Sequence, residues 1–286
     1  MRVIVTTSTL DNLTHVKTIV SETTTSYGSY TVTDRTTKVY EGSNINPVST
    51  NSEFSVVDRS DKSDISVDGS KATIVLSDSS SPNISFVLDI LAQSSKSITV
   101  VSDTIIDGAA LEAISDAGAV LTLSSDTSFI EMDSATLKNL VGKGDLSLTI
   151  SDSVGAMTPK QTSAAGDAKV FSIDLKCGDV EQHDFGKFTL TIACDITLQD
   201  GKELKVWRID DYGKKTYATN VTYSDGKVSF DADHLSIYAI GYESESSGSG
   251  DGKSDNGDGN TLMFAGIGAI AVLALLGAVF MMRRRH

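Results

Sequence analysis

Histidines, cysteines and carboxylates are the residues of this chain with chemistry in reach. The histidines are His15, His183, His234 and His286. None stands at metal-ligand spacing from another histidine or from a cysteine, so no zinc set is expected. Asp58, Asp61, Asp64 and Asp68 form an acidic run that ends beside Gly69. Its spacing differs from that of an EF-hand loop, and the run is expected to be a solvated loop. No G-x-S-x-G elbow, phosphate-cradling loop or dinucleotide fingerprint occurs. Paired carboxylates for glycoside hydrolysis depend on a separation in space that spacing along the chain does not give. The expectation is a protein without catalysis, cofactor or metal.

Cys177 and Cys194 fall in two runs of alternating apolar residues, 171–177 and 188–194. Were these runs one simple hairpin, roughly seven residues of strand at about 3.3 Å each would separate the two sulfurs. That is beyond disulfide reach. A bridge formed in an oxidising compartment and two buried free thiols both stay open. Three sequons occur, at Asn12, Asn83 and Asn220. They are candidate N-glycosylation sites if the chain faces outward.

The chain carries a net charge of -14. So acidic a protein argues against nucleic acid as a partner, because phosphate binding needs clustered Lys and Arg. Its expected effect is solubility and self-repulsion at a crowded surface.

The elements that must hold these residues are mainly strands. Residues 1–95 are rich in Ser, Thr and Val, with strands expected at 30–33, 53–57 and 71–76 and no helical period. The stretch up to Gly28 is expected to fray where its partner strands are missing. Residues 96–168 hold a tandem pattern. A strand at 98–106 leads to Asp107 as N-cap and a helix at 108–117 with Leu111 and Ile114 inward; Gly118 stops it and a strand follows at 120–124. The pattern recurs as strand 129–132, a cap at Asp133 or Ser134, a helix carrying Leu137 and Leu140, Gly142 and strand 146–150. Two such units predict a pseudo-symmetric α+β subdomain. From 169 to 243 the pattern is all strand, with turns at 210–213 and 224–227, as in a β-sandwich. The fold class is therefore mainly β with a small α+β portion, in β-sandwich-like modules.

The sandwich portion ends in V-W-R-I-D-D-Y-G-K-K and V-T-Y-S-D-G-K-V-S-F-D-A-D-H-L-S-I-Y-A-I-G. This resembles a repeat ending found in bacterial and archaeal cell-surface proteins, the kind that often carry S-layer homology modules. His234, Ser236, Tyr238 and Ala239 match that ending, and Leu235 replaces its usual Phe. The resemblance covers residues 98–242 and implies a structural surface module, with no catalytic residues to carry over. The chain lacks both S-layer homology modules and a sortase signal, which favours a membrane-anchored, archaeal-type arrangement. By period two, His234, Ser236 and Tyr238 should share one face, with Leu235, Ile237 and Ala239 toward the core. Trp207, in an alternating strand, is expected to pack in the core rather than form a sugar platform.

After a flexible acidic Gly/Ser linker at 244–261, residues 262–282 are apolar and uncharged without a break. As a helix they measure roughly 31 Å, the thickness of a bilayer core. Arg283, Arg284 and Arg285 follow, and a basic tail at 283–286 marks the cytoplasmic side. The expectation is a single-pass cell-surface protein with its N-terminal part outside. Its expected partners are the lipid bilayer and other surface proteins or glycans. Its expected role is structural or adhesive, with glycan binding or processing as the alternative. The first residues carry no apolar signal core, so the native gene is expected to extend upstream.

Overall fold

A computed structural model describes residues 1–77, 84–103, 105–152, 155 and 157–242. Asn83, the linker, the apolar run 262–282 and Arg283 to Arg285 lie outside the described residues. Of the described residues, strands take 53% and helices 14%, so this part is mainly β as its composition suggests. No described helix is long and apolar enough to cross a membrane.

The chain opens with β1 (Arg2–Asp11), β2 (Val16–Tyr27), β3 (Tyr30–Glu41) and β4 (Ser49–Asp58), an antiparallel meander in that order. The expected fraying of the N-terminus is not seen. β1 pairs with β2 along its whole length, from Arg2↔Thr25 to Asp11↔Val16. Its partner is supplied by the next segment through a local hairpin.

Next come β5 (Ser63–Asp68), β6 (Lys71–Leu76), α1 (Ile84–Ser94), β7 (Ser97–Ser102), α2 (Gly108–Asp116), β8 (Val120–Ser125), β9 (Ser128–Met132), α3 (Ser134–Lys138), β10 (Leu146–Ser151) and α4 (Pro159–Ala165). The chain then runs through β11 (Lys169–Cys177), β12 (Val180–Gln182), β13 (Phe188–Ala193), β14 (Lys205–Ile209), β15 (Lys215–Tyr217), β16 (Thr219–Ser224), β17 (Lys227–Ala232) and β18 (Ile237–Gly241). One sheet has eight strands in the order β16-β17-β13-β9-β8-β7-β6-β5. The other runs β10-β11-β18-β14-β15, with β12 paired to β11. The eight-stranded sheet draws strands from either side of residues 95 and 168, and the six-stranded sheet from either side of 168.

Cross-strand partners share a face, so the register identifies the core side of the eight-stranded sheet. Leu123 faces Ile130, Ile130 faces Leu190, and Leu190 faces Phe230. All four are fully or almost fully buried in one continuous core. That core includes residues of α1, α2 and α3 and the inward face of the six-stranded sheet: Phe171, Ile173, Val206, Tyr238 and Ile240. The rings of Phe230 and Tyr238, 5.2 Å apart, mark where the two sheets meet. The outer face of the six-stranded sheet has its own smaller core, in which Trp207, Ile209 and Ala239 lie under Ala165 of α4.

Two helices were not anticipated. α1 buries Ile84, Val87, Leu88 and Leu91, a complete i, i+3, i+4, i+7 stripe within a region read as strand only. α4 begins with a capping box, in which Thr158 and Gln161 exchange side-chain and backbone hydrogen bonds, and has Pro159 in its first turn. The tandem pattern matches its caps: Asp107 accepts from the Ala110 N–H, and Asp133 from that of Thr136. The expected pseudo-symmetry stops there. β7 and β8 lie side by side and parallel around α2, whereas β9 and β10 fall in different sheets. Similar local signals leave the second crossover free to change layers.

The β16–β17 turn places both Asp225 (φ 52°) and Gly226 (φ 73°) in the left-handed region, as the tight-turn signal predicted. Gly213 serves close approach instead: a Cβ added there would lie 2.7 Å from the Lys160 carbonyl oxygen of α4.

Candidate functional site

The two cysteine runs do not form a hairpin with each other. β11 belongs to the six-stranded sheet and β13 to the eight-stranded one. Cys177 and Cys194 are free and buried. Burial pushes both thiols above their ordinary value, so they are poor nucleophiles at neutral pH. Asp58 is likewise spoken for. Partial burial pushes its carboxyl up, but hydrogen bonds from Ser60, Ser63 and Ser29 hold it below the ordinary value on balance. It closes a turn, accepting from the Ser60 N–H at 2.8 Å and the Ser63 hydroxyl at 2.9 Å. Among the described residues, no three His, Cys, Asp or Glu side chains are arranged to hold a metal ion.

The face assigned to the His234, Ser236 and Tyr238 motif differs from the expectation. β18 lies inside its sheet with both faces covered, so Leu235, Tyr238 and Ile240 join the main core while Ala239 joins the smaller one. A strand covered on both sides has no polar face to offer, and period two then separates two apolar environments. Tyr238 spends its hydroxyl on the backbone of its own motif, donating to the His234 carbonyl at 2.5 Å. Desolvation holds that phenol far above its ordinary value. The fold also stacks His234 on His183, with ring centroids 5.8 Å apart. Asp184 lies 3.7 Å from the His234 Nε2, and Glu181 lies 3.7 Å from the His183 Nε2. The backbone joins the same two loops, Leu235 N–H donating to the His183 carbonyl at 3.0 Å. The pair therefore ties the β12–β13 loop to the β17–β18 loop.

Trp207 is 1% exposed, and its indole N–H donates to the Ala164 carbonyl at 3.2 Å. It is a core residue beneath α4, as expected, and is closed to a ligand. Asn12 sits exposed in the β1–β2 turn. Asn220 is exposed too, but in the left-handed region (φ 54°), and its amide donates to Asp231 Oδ2 at 2.6 Å.

That bond belongs to a site that no motif announced. Where the chain passes from β15 in one sheet to β16 in the other, a cleft of about 480 Å³ opens at the corner of the sandwich. Its carboxylates are Glu131, Asp133, Asp231 and Asp233, and its cations are Lys187 and Arg208. Glu131 of β9 and Asp231 of β17 both lie opposite Thr189 of the intervening β13. All three side chains consequently point to one side of the sheet, the side away from Leu190 and Phe230. Asp231 is positioned from two directions, by the Thr189 hydroxyl at 2.8 Å and by Asn220. The Glu131 carboxyl is held above its ordinary value, first by burial and then by the charge of Asp231. The sequence carries a faint signal for this pair. Each acid stands between two apolar residues, in F-I-E-M and V-S-F-D-A, yet nothing in the spacing says that β13 will bring them together.

Comparison with known proteins finds no matching family model, no matching curated protein and no matching solved structure.

Proposed function

We propose that this chain is a single-pass, membrane-anchored surface protein with a structural or adhesive role and no catalysis. The observation that carries the reading is the uncharged apolar run 262–282, ended by Arg283, Arg284 and Arg285. Such a run suits the hydrocarbon core, and basic residues beside it favour the cytoplasmic side. The acidic linker before it suits a stalk that holds a β-rich body away from the bilayer. The body fits the role: sheets of antiparallel and parallel strands on a continuous core, with buried thiols and a buried tryptophan. The resemblance of the strand around His234, Ser236 and Tyr238 to surface-protein repeats points the same way. With the body outside, Asn12 is the described sequon best placed for glycan attachment, because the Asn220 amide is engaged with Asp231.

Topology is the direct test. Protease added to intact cells is expected to release the β-rich body by cutting within 244–260, while a fluorescent tag after His286 stays protected. Protection of the body instead would end both the localisation and the adhesive reading.

A further inference from the structure

We propose that the corner cleft between the two sheets binds a neutral saccharide through Glu131, Asp231 and Asn220. The inference gives the adhesive reading a ligand class, and rests on that reading only for where the ligand is met.

The argument begins with what the cleft leaves unsatisfied. Among the described residues, no hydrogen bond or ion pair reaches the half-buried Glu131 carboxyl. Directly opposite it in the β8–β9 register stands Thr122, on the same side of the sheet. Thr122 is 0% exposed, and its hydroxyl has no hydrogen-bond partner. Buried polar groups in folded proteins are nearly always paired, and an orphan is costly. The Glu131 carboxyl, left unpaired in the lining of an open cleft, is suited to a partner that comes from outside, whereas Thr122 is buried behind it and does not line the cleft.

The chemistry of that partner follows from the rest of the lining. Asp231 can only accept hydrogen bonds in its ionised form, as can Asp133 and Asp233; Lys187 and Arg208 can only donate. Asn220 uses one N–H on Asp231 and retains a second N–H and its carbonyl oxygen. A phosphate or carboxylate ligand could use the donors but would meet four carboxylates against two cations. An ammonium ligand could use the acceptors but not the donors. A hydroxyl does both at once, and a ligand bearing several hydroxyls at fixed spacing matches alternating donors and acceptors. Each such hydroxyl can accept from Asn220 or Lys187 while donating to Glu131 or Asp231. The Glu131 carboxyl suits this in either protonation state, because a hydroxyl can donate to its anion or accept from its acid. A volume of about 480 Å³ lies within the range of small-ligand sites.

The test uses the full chain in a zwitterionic, sugar-free detergent, titrated calorimetrically with maltose, lactose and N,N′-diacetylchitobiose. Saturable binding of at least one disaccharide is expected. Glu131→Gln and Asp231→Ala should each weaken it by about tenfold or more, as loss of a hydrogen bond to a charged group does. Tyr212→Ala, in an exposed turn outside the cleft lining, should leave it unchanged. Circular dichroism on each variant separates lost binding from lost fold, and the near-isosteric Glu131→Gln keeps the test valid should Asp231→Ala fail to fold. No binding of any of the three sugars overturns the proposal. So does binding that survives both cleft substitutions, or a response to calcium ions alone. None of these outcomes bears on membrane topology, which the protease experiment decides separately.

Discussion

Strands β1–β4 and strands β5–β18 draw on the same Thr, Val and Ser residues, yet only the second set encloses a core. Every residue of β1 is exposed, on both faces. β2 contains no fully buried residue, and β4 contains only Val56. In β13 the pattern is reversed: Phe188, Leu190, Thr191 and Ile192 are all buried. The meander joins the sandwich at one end, where Tyr30, Val32 and Val56 enter the main core and Tyr27 meets Phe86 of α1 edge-on at 5.1 Å. β propensity and ladder hydrogen bonds are enough to lay down long strands, but burial of apolar area is what stabilises them.

The sharpest way to break this comparison is to truncate one large side chain in each region. Trp207→Ala removes a fully buried ring and the indole bond to α4, and should cost about 3–5 kcal/mol. Ile4→Ala, at a position 62% exposed, should cost under about 0.5 kcal/mol. Chemical denaturation of both variants checks the contrast, and equal losses would mean that the meander owes its stability to contacts beyond those described. A smaller effect belongs to the caps of the tandem units. Asp107→Ala and Asp133→Ala each remove a side-chain acceptor for a helix N–H, and each should cost about 1 kcal/mol. An effect at Asp107 alone would show that the second, layer-changing unit does not depend on its helix start.

The smallest effect is electrostatic, and its sign differs between the regions. In the exposed β1–β2 turn, Asp11 is held below its ordinary value by the Thr14 hydroxyl and by the Leu13 and Thr14 amides. In the sandwich, Glu131 is held above its ordinary value, by burial and then by Asp231. A raised folded-state value means that the folded protein holds the proton more tightly than the unfolded chain. The stabilisation is full below the unfolded value near 4.5 and is lost as pH rises through the folded one. Glu131→Gln should therefore be more stable than the parent at pH 7, by under about 1 kcal/mol. The difference should shrink toward pH 4. Denaturation midpoints of both proteins across that range decide the matter, and a gap independent of pH would remove burial of the carboxylate as the cause.

Much of the local structure was legible because its signals are local. Asp107 and Asp133 announce helix starts, Asp225-Gly226 announces a turn, and the alternation at Phe171 and Phe188 announces strands. α1 was equally legible in Ile84, Val87, Leu88 and Leu91, but the surrounding Ser/Thr-rich sequence masked a short helical stripe. α4 offered little apolar stripe, and its capping box was the usable cue. The candidate site was hidden because its parts come from β9, β13, β16 and β17, and strand order is not a property of any one segment.

By themselves the residues determined the mainly-β class, the caps and turns, the apolar run at 262–282 and the core role of Trp207, since each follows from composition or from neighbours within a few positions. Tertiary structure decided the rest. It placed β11 and β13 in different sheets and so kept Cys177 and Cys194 from sharing a hairpin. It covered β18 on both faces and turned Tyr238 inward. It set Thr189 between Glu131 and Asp231, residues far apart along the chain, because β13 pairs on one side with β9 and on the other with β17. Pairing partners are selected by how a whole sheet buries its apolar side, and that balance is struck only once the layers come together.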